Sequence, residues 1–314
     1  MSIYNIYNKK EDTFNIDKNI NIVKINNINY LLKYGFNSYY SDNIEKLRDY
    51  KVINKQSFKG KERVYKVLNP CNNSVNELKD NEIDIKTAFK NKYNIDESKQ
   101  DFYKIYECIK EFELFKKNHS YLTLDKYSEK CITEIFKGEL NNKTYDCIIS
   151  NPHNMITTDQ EKKYIKDFIK TLQYINNLKN NGSMIIKIYT TFSDIMVKLI
   201  YLLTGLFNSI QIYIPMTAEK YRNEKYLICK EYKKNENILD IINNIKDNNI
   251  IDIVCNQKYL KTIINMNINE LVNQTRYINY MEDYLNKKVF YGIEYQTYRE
   301  EQIKQNLEWI KKYI

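Results

Sequence analysis

The sequence predicts an α/β fold: a mostly parallel sheet flanked by helices and closed on one side by an antiparallel hairpin. Three observations carry this. Tyr145-Asp146-Cys147-Ile148-Ile149-Ser150 and Ser183-Met184-Ile185-Ile186-Lys187-Ile188-Tyr189 are short, nearly continuous apolar runs, the pattern of strands buried on both faces. Between them Tyr164, Ile165, Phe168, Ile169, Leu172 and Ile175 recur at helical spacing, so a helix crosses from one strand to the next. After a further apolar helix over 193–205, strands at 209–214 and 224–230 follow with too little chain between them for another helix, and they pair antiparallel.

The remaining elements follow from local pattern. Ile20-Asn21-Ile22-Val23-Lys24-Ile25 alternates with period two, an edge strand or hairpin leading into the main domain. Tyr39–Tyr50 reads as a short helix capped by Ser41 or Asp42, and Arg63–Leu68 as a strand stopped by the turn Asn69-Pro70. Residues 72–118 are charged and helical, with Phe102, Ile105, Tyr106, Ile109 and Phe112 as the apolar stripe. Tyr121–Leu124 is a short strand, and 127–137 a small helix ending near Gly138.

Thr158-Asp159-Gln160-Glu161 has the form of a capping box and opens the helix that carries the Tyr164–Ile175 stripe. Asn181-Gly182 ends that helix with a left-handed cap. Residues 236–314 turn helical, through Leu239, Ile242 and Ile245, then Tyr277, Tyr280, Met281 and Tyr284, then a last helix with the only tryptophan, Trp309. The chain thus divides into an N-terminal extension (1–60), a sheet domain (61–235) and a helical C-terminal region (236–314).

Composition narrows the function. Of 314 residues, 43% are hydrophobic and 14% aromatic, which is a globular balance and not a disordered one. The net charge of +9 suits RNA, DNA or an acidic protein, although the lysines are spread and form no block of like charge. With only two His and no CxxC among six Cys, neither a metal site nor a disulfide framework is expected. No apolar run reaches the ~20 residues that span a bilayer, so no membrane is expected.

The residues with chemistry sit at strand ends. Lys187 lies mid-strand in an apolar run, where desolvation lowers a lysine pKa and can make it a base. Glu224 opens the last strand, so both fall near the carboxyl edge of the sheet, where open α/β folds bind ligands. Each also has a plain reading, as a snorkelling lysine and a solvated turn. Asn151-Pro152-His153 follows a buried strand, but Asn-Pro also simply makes turns, and Lys162 and Lys163 fit an exposed helical turn. The six glycines stand at 35, 60, 138, 182, 205 and 292, and no two are close enough for a glycine-rich nucleotide loop. The turn Val67–Ser74, the expected place for one, has none.

From Asp146 to Lys230 the sequence resembles the FtsJ-like ribose 2′-O-methyltransferases. That family carries a Lys-Asp-Lys-Glu tetrad. By resemblance Lys187 in Met184-Ile185-Ile186-Lys187 holds the second lysine, Glu224 the glutamate, and Asn151 stands where the aspartate would be. No residue is assigned to the first lysine. The fold implied is a Rossmann-like methyltransferase sheet with a degenerate cofactor site.

Over a longer span, the segments Lys33–Tyr40, Arg63–Leu68, Ile185–Lys187 and Leu206–Ile210 resemble the small subunits of poxvirus mRNA-capping enzymes. This resemblance implies a viral, non-catalytic regulatory subunit without cofactor. It would bind the large subunit and stimulate its cap guanine-N7 methyltransferase domain. The same resemblance implies contact with the viral transcription machinery and RNA, in the host cytoplasm and the virion. Two alternatives stand beside it. One is an active S-adenosylmethionine-dependent cap ribose 2′-O-methyltransferase using Lys187 and Glu224; the other is an RNA-binding module using a basic face.

Overall fold

The computed structural model describes residues 2–12, 21–24, 83–141, 143–152, 160–189, 191–220, 224–245, 249–287 and 293–314. The expected helix at 39–50, the strand at 63–68, the turn at 67–74 and His153 lie outside these residues.

In chain order the elements begin with β1 (Ser2–Asn8), β2 (Asn21–Lys24), α1 (Ile85–Tyr93), α2 (Gln100–Glu111), β3 (Ser120–Thr123) and α3 (Lys126–Lys130). Next come β4 (Glu139–Leu140), β5 (Tyr145–Ser150), α4 (Gln160–Leu172), β6 (Leu178–Ile188), α5 (Asp194–Leu203), β7 (Phe207–Ile214) and β8 (Lys225–Tyr232). The chain finishes with α6 (Glu236–Asn244), β9 (Asn249–Asp252), α7 (Gln257–Lys287) and α8 (Ile293–Tyr313).

Seven strands form one sheet in the order β1-β7-β8-β6-β5-β3-β4. The four strands β4, β3, β5 and β6 are parallel, and β8 enters antiparallel between β6 and β7. The fold class is therefore the expected one: a Rossmann-like, methyltransferase-type sheet closed by an antiparallel hairpin. The order reverses between β3 and β5, because the chain runs outward from β3 to β4 and then returns to the other side with β5 and β6. Such a reversal opens a crevice at the carboxyl ends of the two strands, which is where ligands bind in these folds.

Side-chain alternation along the strands builds two cores, one on each face. Ile148, Met184, Ile186, Ile210, Leu227 and Cys229 pack with residues of α4, α5, α6 and α7. Cys147, Ile149, Ile185, Tyr213, Tyr226 and Ile228 pack with α1, α2 and α8, where Trp309 is fully buried. Residues after 236 thus contribute to both faces of the sheet.

Several local expectations are corrected. The charged stretch before residue 118 is two helices, broken where Asn94 turns left-handed at φ 56°. The alternating segment near residue 20 forms β2, which pairs with β9 in a separate two-stranded sheet, whereas the edge of the main sheet is β1. The mainly helical C-terminal region contains β9 as well.

Asn181-Gly182 does not end the helix. Helix α4 closes at Leu172 with a 3-10 turn to Asn177, and the pair lies inside β6. Asn181 is left-handed at φ 63°, as read from the sequence, but it serves a register shift between β5 and β6. Gly182 then comes so close to its neighbours that a Cβ would stand 2.7 Å from the Lys179 carbonyl oxygen and 2.9 Å from that of Asp146. Gly182→Ala should therefore cost about 1–3 kcal/mol, the range for overpacking, because two backbone carbonyls as well as the Leu178 side chain are in the way. Urea unfolding measures it, and a loss within experimental error would show that the strand relaxes freely.

Candidate functional site

Parity along β8 sets the geometry. Adjacent residues of a strand face opposite sides, so Glu224 and Lys225 diverge. Glu224 turns to the face covered by α2 and Lys225 to the face covered by α7, where it pairs with Glu270. Lys187 of β6 stands on the same face as Ile185 and so meets Glu224.

Helix α2 completes the cluster. Its Lys104 pairs with the same Glu224 carboxylate, and its Asp101 accepts from Lys187 Nζ at 2.8 Å and lies 3.5 Å from Lys104 Nζ. Two ammonium groups and two carboxylates thus share one place, and Lys104, Lys187 and Glu224 are each only 3–4% exposed. Burial of an isolated charge is prohibitive, whereas a neutral, hydrogen-bonded set is tolerated.

The electrostatics correct one expectation. Burial alone would lower the Lys187 pKa, but Glu224, Tyr189 and Asp101 outweigh it and raise the value above the ordinary lysine range. Lys187 is held protonated and is not a ready base. Burial likewise raises the Glu224 pKa, but the positive charges of Lys104 and Lys187 prevail and lower it.

Asn151 is the third sequence-marked residue. It is 2% exposed at the end of β5, and its Oδ1 accepts from Tyr226 Oη at 3.1 Å. Its Nδ2 is buried without a hydrogen-bond partner. The nearest cluster member in sequence register is Lys187, whose strand neighbour Tyr226 carries this bond. Lys162 and Lys163 belong to α4.

The sequence pointed to Lys187 and Glu224, which the structure joins directly, but missed Asp101 and Lys104. The local pattern, a Lys between Tyr103 and Ile105 and one helical turn after Asp101, does not by itself show that either charge turns inward.

The turn at 67–74 lies outside the described residues, and the strand reversal sets its crevice between β3 and β5. The turn at the reversal follows β3, where Leu124 and Asp125 alone separate strand from helix α3. The Asp125 carboxylate accepts from the backbone N–H groups of Tyr127 at 3.0 Å and Ser128 at 2.9 Å, and from that of Asn151 at 3.1 Å. Ser128 Oγ donates to it as well. Asp125 therefore ties the end of β3 to the end of β5, across the crevice. Burial, partly opposed by these hydrogen bonds, raises its pKa.

A nucleotide-like methyl donor needs a turn with room for the close approach of backbone, usually through glycine. Here the turn has no glycine, and the Tyr127 and Ser128 amides at the start of α3 are bonded to Asp125, the N-cap of that helix. The residues present do not fit that group in the ordinary way. Among the described residues there is also no set of three His, Cys, Asp or Glu arranged to hold a metal ion. No described helix is long and apolar enough to cross a membrane.

Fold and cluster together define a methyltransferase-like chain, and comparison with known proteins agrees. The chain is 26% identical to uncharacterized protein R383 of Acanthamoeba polyphaga mimivirus over 310 residues, covering 89% of this chain and 80% of that protein. It is 28% identical over 113 residues to cap-specific mRNA (nucleoside-2′-O-)-methyltransferase 2 of Drosophila melanogaster, a match covering 36% of this chain and 16% of that protein. Cap-specific mRNA (nucleoside-2′-O-)-methyltransferase 1 of the same organism is 27% identical over 124 residues, 38% of this chain and 15% of that protein. No protein-family model matches. The matched segments thus span less than a fifth of the cap methyltransferases.

Stability should follow the cluster. Glu224, lowered in the folded state, stabilises above its unfolded value near 4.5, and this is lost as pH falls toward the folded value. Lys187, raised, stabilises below its unfolded value near 10.5 and loses this as pH rises beyond it. The window of full contribution is between the two. Glu224→Gln should cost about 3–5 kcal/mol at neutral pH, since it leaves buried lysines uncompensated. The loss should shrink when urea unfolding is repeated near pH ~4. A cost below about 1 kcal/mol at neutral pH would match an exposed pair and contradict the buried geometry.

Proposed function

We propose that this chain is a non-catalytic, methyltransferase-like regulatory subunit of a viral mRNA-capping enzyme. It binds the cap guanine-N7 methyltransferase domain of a larger subunit and stimulates it. The observation that carries this reading is Asp125, which occupies the amides at the strand reversal and bridges to Asn151. On this reading the chain holds no methyl donor, so it has no methyl group to transfer and serves as a scaffold. Two features support the same reading: the cluster buries the groups that a ribose hydroxyl would have to reach, and Lys187 is held protonated. The relative from a large virus supports the viral setting, and the cap methyltransferase relatives support the connection to mRNA caps.

A second reading has its own observation. Lys104, Lys187 and Glu224 meet as three members of the Lys-Asp-Lys-Glu tetrad would, with Asp101 as a carboxylate on the same Lys187. On this reading the chain is an active cap ribose 2′-O-methyltransferase with an unorthodox donor site.

Calorimetric titration with S-adenosylmethionine separates the two. The regulatory reading expects no binding up to about 1 mM, meaning less than about 4 kcal/mol of affinity. It also expects faster guanine-N7 methylation when the chain is added to the large-subunit methyltransferase domain of the same virus. Micromolar donor binding, with ribose methylation of capped RNA abolished by Lys187→Ala, would establish the second reading instead.

A further inference from the structure

Beside Glu224, residues of β1, β7 and α7 line an open cavity of about 170 Å³. Its wall includes Tyr4, Glu219, Lys220, Glu224, Glu270 and Tyr277. That volume is far below the ~300–1,000 Å³ usual for cofactor and small-molecule sites, so it is too small for a nucleotide. It is nonetheless larger than the ~10–15 Å³ that a single water requires. The end of one long side chain suits it.

The chemistry of the wall selects the side chain. Glu224 is already engaged by Lys104 and Lys187, and Glu270 Oε2 by Lys225. Glu270 Oε1 has no hydrogen-bond partner among the described residues, although the residue is only 6% exposed. Buried carboxylate oxygens are almost always satisfied, and an orphan asks for a donor that is not yet present. Desolvation raises the Glu270 pKa in spite of Lys225, so the carboxylate gains from a further positive neighbour. Tyr4 and Tyr277 put aromatic rings in the wall, and aromatic surroundings favour a guanidinium, which stacks on such rings, over an ammonium group.

We propose that this cavity receives an arginine side chain of a partner protein, its guanidinium donating to Glu270 Oε1 beside Tyr4 and Tyr277. The partner is the one invoked in the regulatory reading, but the pocket can be tested without it.

The full chain is titrated with N-acetyl-arginine amide and, in parallel, with N-acetyl-citrulline amide, a neutral analogue of similar shape. Binding is followed by chemical shifts of the tyrosine rings. Saturable binding of the arginine compound in the millimolar range is expected, with none of the citrulline compound. Tyr277→Leu and Glu270→Gln should each weaken it by about tenfold or more. The first variant leaves the Lys225 pair intact and so serves if the second fails to fold. Absence of saturation, or equal binding of citrulline, overturns the proposal. Since no partner and no methyl donor is in the experiment, a negative result leaves the regulatory reading to its own test.

Discussion

The four-charge cluster of Asp101, Lys104, Lys187 and Glu224 is the constraint on which the arrangement of this molecule depends. It fastens α2 to the carboxyl edge of the sheet, and α2 in turn positions Glu107. That carboxylate, fully buried, accepts from the Trp309 indole at 2.9 Å, from Tyr213, and from Thr217 Oγ1 at 2.8 Å. One helix thereby ties together β6, β7, β8 and the C-terminal helix. Apolar residues could fill the same space, and replacing a buried ion set by hydrophobic residues is often neutral or stabilising. The cluster therefore specifies which helix sits on which strands more than it adds stability.

The same constraint shapes what the site can do. A lysine base needs desolvation to prevail over its carboxylate neighbours, and here the neighbours prevail. Asp125 acts in parallel on the other side of β5, exchanging a ligand crevice for a strand-to-strand tie. The two effects are independent, since one involves the acceptor groups and the other the donor turn. Both bear on the chemistry open to the site while leaving the sheet intact. On the proposed regulatory reading the fold keeps its framework and presents surface, because architecture is decided by the cores and function by the site.

The sequence revealed the sheet centre well because β5, β6, β7 and β8 carry strong local pattern: apolar runs bounded by turn residues. It revealed the edges poorly. β1 is a seven-residue strand whose partner β7 lies two hundred residues onward, and β2 pairs with β9 across a similar gap, so neither pairing has a local signal. Asn181-Gly182 shows the other kind of failure. The left-handed conformation was legible, but a bulge and a helix cap demand the same residues there, and only tertiary contact with β5 distinguishes them.

The site was half legible for a related reason. Lys187 and Glu224 stood out because a charge inside or beside an apolar strand is unusual wherever it occurs. Asp101 and Lys104 did not, because charged residues are common on helices and the pattern does not say which of them turn inward. What makes Lys104 buried is the presence of Glu224 more than a hundred residues later, and what makes Glu224 tolerable is Lys104. Each residue is explained only by the other, so no reading of either segment alone could have assigned them. The orphan oxygen of Glu270 extends the argument: Lys225 satisfies half of that carboxylate, and the described residues supply no hydrogen-bond partner for the rest. Such a remainder, beside a cavity and two tyrosines, is where an outside group would complete what this sequence leaves open.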